Sequence, residues 1–216
     1  MMKKLVVFDL DGTLLNTLDD LKNAVNYSLE QLNLPTRTLD EVRQMVGNGA
    51  EKLMIRAMGQ GNEHLLSKAL DGFDYFYGRH RQDNTKPYPG IAEMLDKLNE
   101  KGIACTVFSN KPHENVGPLC HSYFGDSIAY AQGTYTGKAK KPDPTGVFMI
   151  LDKFAVAKED ALFVGDSEVD IETARNAGLY CISVSWGFKD REFLVNHGAT
   201  EIVDDCRQLL NAILSK

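Results

Sequence analysis

Two aspartates close the first apolar run of this chain. Leu5 to Leu10 is apolar except for Asp9, and Asp11-Gly12-Thr13 follows at once. Like charges at the end of a buried strand repel each other and resist leaving water, so stability alone does not ask for this pair. Three more polar clusters follow apolar runs or stand between them. Ser109-Asn110-Lys111 comes after Ile103 to Phe108, and Gly165-Asp166-Ser167 after Ala161 to Val164, with Asp170 close behind; Lys141-Pro142-Asp143-Pro144 lies between. Brought together, these residues suit phosphoryl transfer. Carboxylates, water and phosphate oxygens are the hard ligands that Mg²⁺ takes, and the ion offsets the repulsion among the aspartates. One carboxylate can attack phosphorus, and a second carboxyl can protonate the leaving oxygen and later deprotonate water. Ser109 and Lys141 would hold the non-bridging phosphate oxygens, so that catalysis is mainly positioning and charge stabilisation.

These clusters meet only if the segments that carry them are strands of one sheet ending on one rim. Leu5 to Leu10, short and rich in Val and Phe, reads as a buried parallel-type strand. Ile103–Phe108, Ala161–Val164 and Tyr180–Val184 read as further strands, with Ser127–Ala131 and Glu201–Val203 as shorter ones. Helical patterns alternate with them. Gly90 to Lys101 ends at Gly102, suited to a helix C-terminus, and His113–Tyr123, Val169–Ala177 and Cys206–Leu214 follow. Pro144 to Phe154 is also helical, with Pro144 in the first turn. Such alternation predicts an α/β fold with a doubly wound, mostly parallel Rossmann-like sheet. Ligands of such sheets bind at the carboxyl ends of the strands.

One block breaks the alternation. No strand candidate appears between about Asn16 and Tyr88. A helix opens at Thr17, which with Asp20 supplies an N-cap, and Leu18, Leu21, Val25, Leu29 and Leu32 share one face before Pro35. Leu39–Val46, Ala50–Met58 and Glu63–Asp83 are helical, separated by the turns Gly47-Asn48-Gly49 and Gly59-Gln60-Gly61. Residues 16–83 therefore read as a helical domain inserted into an α/β core of residues 1–15 and 84–216.

With these motifs in this order, the chain resembles the haloacid dehalogenase superfamily of phosphotransferases, most closely its phosphoglycolate phosphatase group. Asp9-Leu10-Asp11-Gly12-Thr13 matches the first motif, Ser109-Asn110-Lys111 the second, Lys141 in KKPDP the third, and Gly165 to Gly178 the fourth. The resemblance makes the helical insertion a cap domain that closes over the site and selects substrates. It implies that Asp9 is the nucleophile and a Mg²⁺ ligand. Asp11 would be the general acid/base and ligate the metal through its backbone carbonyl. Asp166 would be a direct ligand, and Asp170 a ligand through water or a support. True dehalogenases of the superfamily lack the second aspartate, so Asp11 favours phosphate chemistry.

The expected reaction is hydrolysis of a small phosphorylated metabolite, 2-phosphoglycolate first, through an aspartyl-phosphate. A sugar-phosphate mutase of the same fold, and a catalytically weak phosphate-binding module, are the alternatives. Ser109, Asn110 and Lys141 are the expected phosphate contacts. Asn48 and Arg43, near Lys52 and Arg56, are expected to choose the leaving group.

Composition excludes other classes. The chain has 216 residues, 43% hydrophobic and 25% charged, as in ordinary globular proteins. Its formal charge of −6 disfavours nucleic acid or an anionic membrane as partner. The four cysteines have no CxxC spacing and read as reduced thiols of a cytoplasmic protein, a monomer or homodimer. The apolar run after Lys3-Lys4 is too short for a signal peptide, and no stretch reads as a membrane span. Gly133 to Lys138 reads GTYTGK, but a phosphate-binding P-loop has four residues between its glycines and Ser or Thr after the lysine. Arg79-His80-Arg81 lacks the preceding strand that a phosphohistidine site would need, and the scattered histidines suggest no zinc site.

Overall fold

The computed structural model describes residues 3–135, 137 and 139–216. Thr136 and Lys138, in the GTYTGK stretch, lie outside the described residues. The chain forms two compact units, one of residues 1–15 with 87–216 and one of residues 16–86.

In chain order, β1 (Leu5–Phe8) is followed by the two-residue β2 (Leu15–Asn16) and by helices α1 (Leu18–Gln31), α2 (Leu39–Met45), α3 (Ala50–Met58) and α4 (Leu66–His80). After β3 (Lys86–Pro87) come α5 (Ile91–Glu100), β4 (Ala104–Pro112), α6 (His113–Phe124), β5 (Tyr130–Thr134) and α7 (Thr145–Phe154). The chain ends with β6 (Ala161–Gly165), α8 (Glu168–Ala177), β7 (Tyr180–Val184), α9 (Arg191–Asn196), β8 (Ile202–Val203) and α10 (Cys206–Leu214).

The larger unit is an α/β layer structure. Its six strands lie in the order β5-β4-β1-β6-β7-β8, and the pairings are parallel. β1 shows why its sequence is continuously apolar: both faces of the sheet are covered. Val6 and Phe8 join a core with residues of α5, α6 and α10. Leu5 and Val7 join another with Val147, Ile150 and Leu151 of α7 and Ala174 and Ala177 of α8. Each fully buried aliphatic or aromatic side chain contributes roughly 1.5–3 kcal/mol. The chain leaves β1 for β4 and β5 on one side, then returns to β6 on the other. The crevice beside β1 is therefore the topological switch point, where open α/β sheets bind ligands.

Several elements differ from their sequence patterns. β5 spans Tyr130–Thr134 rather than Ser127–Ala131, because Gly125–Ser127 winds into a 3₁₀ turn first. Pro144 occupies the N-cap position, with Thr145 as the first helical residue. α9 was not expected; its one buried side chain, Leu194, leaves no periodicity to read.

The smaller unit contains α1 to α4. Thr17 and Asp20 do not cap α1 as expected. Thr17 stands at the N-cap position without a side-chain cap hydrogen bond. Asp20, 2% exposed, instead accepts from the backbone N–H groups of Asn84 and Thr85, from Asn84 Nδ2 and from Thr85 Oγ1, all at 2.8–3.1 Å. One carboxylate thus ties the end of this unit back to its first helix, which accounts for the boundary falling after Lys86 rather than at Asp83.

Asp20→Ala removes the acceptor for those four donors and is expected to destabilise the protein by about 2–4 kcal/mol. Urea unfolding followed by circular dichroism measures this. An unchanged midpoint would mean that the carboxylate is dispensable to the unit.

Candidate active site

The acidic residues converge at the carboxyl ends of the two strands beside the switch point. Asp9 directly follows β1 and Asp166 directly follows β6, which are neighbours. The Asp9 backbone N–H donates to Val164 O at 2.9 Å, continuing the pairing to the rim. Asp9, Asp166 and Asp170 each offer an oxygen within 4.8 Å of the others, and all three residues are buried. Lys141, in the connection between β5 and α7, enters this group. Its Nζ lies 2.8 Å from Asp9 Oδ1 and 2.6 Å from Asp170 Oδ1.

Burial of so many charges shifts their protonation. Burial pushes the Asp9 carboxyl up to about 7; Lys141 pulls it down, while Asp170 and Asp11 add to the rise. Asp166 is pushed well above the ordinary carboxylate range, by burial first and by Asp170 and Asp9 next. Burial alone would lower the Lys141 ammonium, but Asp170 and Asp9 together outweigh it and hold Lys141 above its usual range.

Backbone and small residues fix each carboxylate. Asp170 Oδ2 accepts from the N–H groups of Asp166 and Ser167 and from Ser167 Oγ. Ser167 in turn caps α8 by accepting from the Asp170 N–H, a reciprocal capping box. Asp170 is thus both the helix-start carboxylate and the partner of Lys141. Asp166 accepts from Thr13 Oγ1 at 3.1 Å and from the Phe188 N–H at 2.7 Å. Trp186 Nε1 donates to Thr13 O at 3.1 Å, bracing the turn after Asp11. A Cβ on Gly12 or Gly187 would collide with the Asp166 carboxylate, and one on Gly165 with Asp170. Gly12 also has φ +89, where an L side chain is strained.

Residue types alone did not point to Trp186, Gly187 and the Phe188 N–H. Their signal is positional, since residues 185–188 follow β7 at the same rim.

The second cluster lies within the end of β4, where the pairing with β5 shifts register between Phe108 and Pro112. Ser109 and Asn110 are buried. Ser109 Oγ accepts from the Lys111 N–H at 3.2 Å. Asn110 Nδ2 donates to Lys141 O at 3.1 Å, which ties the loop carrying that lysine to β4. Asp11 stands apart from the three-carboxylate group. Both its oxygens are held by Lys111 Nζ, at 2.9 and 3.0 Å.

Asn48 and Arg43 belong to the helical unit. Arg43 is exposed on α2. Asn48 Oδ1 accepts from Arg56 Nη2 at 2.6 Å, and Arg56 Nη1 donates to Met45 O at 2.6 Å, so one guanidinium holds both ends of that turn. The cysteines are free, and burial pushes each thiol up to about 12, which keeps them protonated near neutral pH. Among the described residues, no helix is long and apolar enough to cross a membrane.

A parallel sheet in this order, with this acid group at its switch point, is shared with known proteins. The chain belongs to the haloacid dehalogenase-like hydrolase family, which it matches over residues 6–184. Within that family it is a phosphoric monoester hydrolase similar to the phosphoglycolate phosphatases. It is 34% identical to the phosphoglycolate phosphatase of Pseudomonas syringae pv. tomato, over 99% of this chain and 80% of that one. It is 32% identical to the one of Haemophilus influenzae, over 97% and 98%. A solved structure from Lactobacillus delbrueckii subsp. bulgaricus, provisionally named a phosphoglycolate phosphatase, superposes with a TM-score of 0.94 at 33% identity, covering all of both chains.

Gly187→Ala places a methyl group where the Asp166 carboxylate stands. A displacement of about 1 Å at such a site is expected to lower kcat/KM roughly 100-fold with the fold retained. Steady-state kinetics beside a circular dichroism spectrum decide it, and near-normal turnover would show that Asp166 tolerates the shift.

Proposed function

We propose that this chain is a Mg²⁺-dependent phosphatase of small phosphomonoesters, 2-phosphoglycolate first, acting through a phosphorylated Asp9. The observation that carries this reading is the group of three buried carboxylates within 4.8 Å, with one ammonium between two of them. The names of the relatives supply the first substrate.

The donor set fits the metal. Its oxygens are hard, the residues are buried, and one ammonium stands against three carboxylates, which leaves negative charge for a cation to offset. Asp9 and Asp166 would hold the ion through carboxylates and Asp11 through its backbone carbonyl, with Asp170 acting through water or as a support. When bound, Mg²⁺ supplies positive charge that offsets the carboxylates and attracts the phosphoryl oxygens.

The chain's own groups then divide the work. Asp9 attacks phosphorus while the bond to the leaving oxygen breaks, and Asp11 gives that oxygen a proton. Asp11 next takes a proton from a water molecule as it attacks the aspartyl-phosphate, which releases inorganic phosphate and restores Asp9. Ser109 and Lys141 hold the non-bridging oxygens, and Asn110 steadies Lys141 through its carbonyl. The helical unit serves as a cap, contributing Asn48 and Arg43 to leaving-group contacts. Arg56 gives the Asn48 turn a defined shape.

Asp9→Asn is expected to lower turnover by about 10³-fold or more while leaving the fold intact, since an amide is no nucleophile. Retention of a tenth of the activity in non-deamidated protein would remove Asp9 from that role. A chelator should stop turnover and Mg²⁺ restore it, and hydrolysis in labelled water should place label in the released phosphate. Unlabelled phosphate or full activity in chelator would each reject the corresponding step. Asn48→Ala is expected to reorder a panel of metabolite phosphomonoesters by kcat/KM while changing an aryl phosphate little. A uniform loss would place substrate choice elsewhere.

A further inference from the structure

We propose that Lys111 is the subsite for a carboxylate on the leaving group, so that it selects phosphomonoesters of small hydroxy acids. This inference rests on the reading of Asp11 as the acid that serves the leaving oxygen.

Lys111 belongs to the end of β4, and its side chain is 4% exposed. Its ammonium contacts both oxygens of Asp11, at 2.9 and 3.0 Å. A group that protonates the leaving oxygen must come within hydrogen-bond reach of it, about 2.6–3.2 Å. A cation touching that group therefore stands on order of 6 Å or less from the same oxygen, the sum of two such contacts. In a 2-phospho hydroxy acid the carboxylate is attached to the carbon bonded to that oxygen, so its oxygens fall within this radius.

Charge makes the cation necessary. A substrate carboxylate entering there leaves water for a largely enclosed place, which disfavours an acid leaving group unless a positive group receives it. Lys111 is such a group. An ammonium is a compact charge on a flexible stem with several donors, and it can turn from one carboxylate to share or exchange partners with another. An alcohol leaving group offers no anion for that exchange. Lys141 has a different place, against Asp9 and Asp170, so the two buried lysines have separate anions to serve.

The experiment compares 2-phosphoglycolate with 2-hydroxyethyl phosphate, a neutral analogue of similar size, in the wild type, Lys111→Met and Lys111→Arg. The wild type is expected to favour 2-phosphoglycolate in kcat/KM. Lys111→Met should lower kcat/KM on both but about tenfold or more further on 2-phosphoglycolate, chiefly through KM, as expected when a charged recognition group is lost. Lys111→Arg, which keeps the charge, should recover much of the preference. Equal losses on the two substrates would overturn the proposal and leave Lys111 as a positioning residue for Asp11. If Lys111→Met does not fold, the wild type still decides. Glycolate is expected to inhibit competitively at concentrations well below those that ethylene glycol needs, and equal weak inhibition overturns the subsite. A wild type active on both substrates without preference also overturns it while the phosphatase reading stands. Absence of hydrolysis of any phosphomonoester would instead overturn that reading.

Discussion

Asp9, Asp166 and Asp170 are each more than nine-tenths buried, and their oxygens lie within 4.8 Å of one another. Taking one carboxylate out of water costs several kcal/mol, and each added like charge raises that cost. Lys141 offsets part of it by contacting Asp9 and Asp170, yet one ammonium leaves a surplus of negative charge among three acids. Burial first, and that surplus after it, displaces the Asp9 and Asp166 carboxyls upward. A stability-driven sequence would replace such a group with apolar residues. Its presence marks a place built for chemistry, where local consistency is given up for function.

The fold bears this cost because its scaffold is rigid where the charges sit. β1 is apolar on both faces and paired with β4 and β6, so the backbone that presents Asp9 has little freedom. Glycines leave room for the Asp166 and Asp170 carboxylates, and backbone N–H groups rather than long side chains hold them. Donors fixed by the backbone lose little entropy when they act, which is the condition for electrostatic preorganisation.

What could be read from the residues follows from how local each job is. β1 and β6 were legible because continuous apolar runs end abruptly in acid, and their pairing at the switch point gives the acid group its geometry. Helix α3 was legible from the glycine turns at both ends. β5 was displaced because Gln132 and Gly133 do not look like strand residues, although pairing with β4 carries the strand through them to Thr134. Asp20 misled because an acid at a helix start reads as a cap, whereas its partners, Asn84 and Thr85, lie far along the chain. The Phe188 N–H was invisible for another reason. A backbone donor has no residue type.

Lys111 and Lys141 show where such reading stops and geometry begins. Both follow a strand or precede a helix in polar surroundings, and by type they are the same cation. In the folded chain one faces Asp9 and Asp170 and the other faces Asp11. On the roles proposed above, the carboxylates beside Lys141 would serve the phosphoryl group, which every phosphomonoester carries, and Asp11 the side on which substrates differ. A cation gains specificity from the anion beside it. The same ammonium can therefore serve chemistry common to a family at one position and substrate choice at another, and only the fold assigns which.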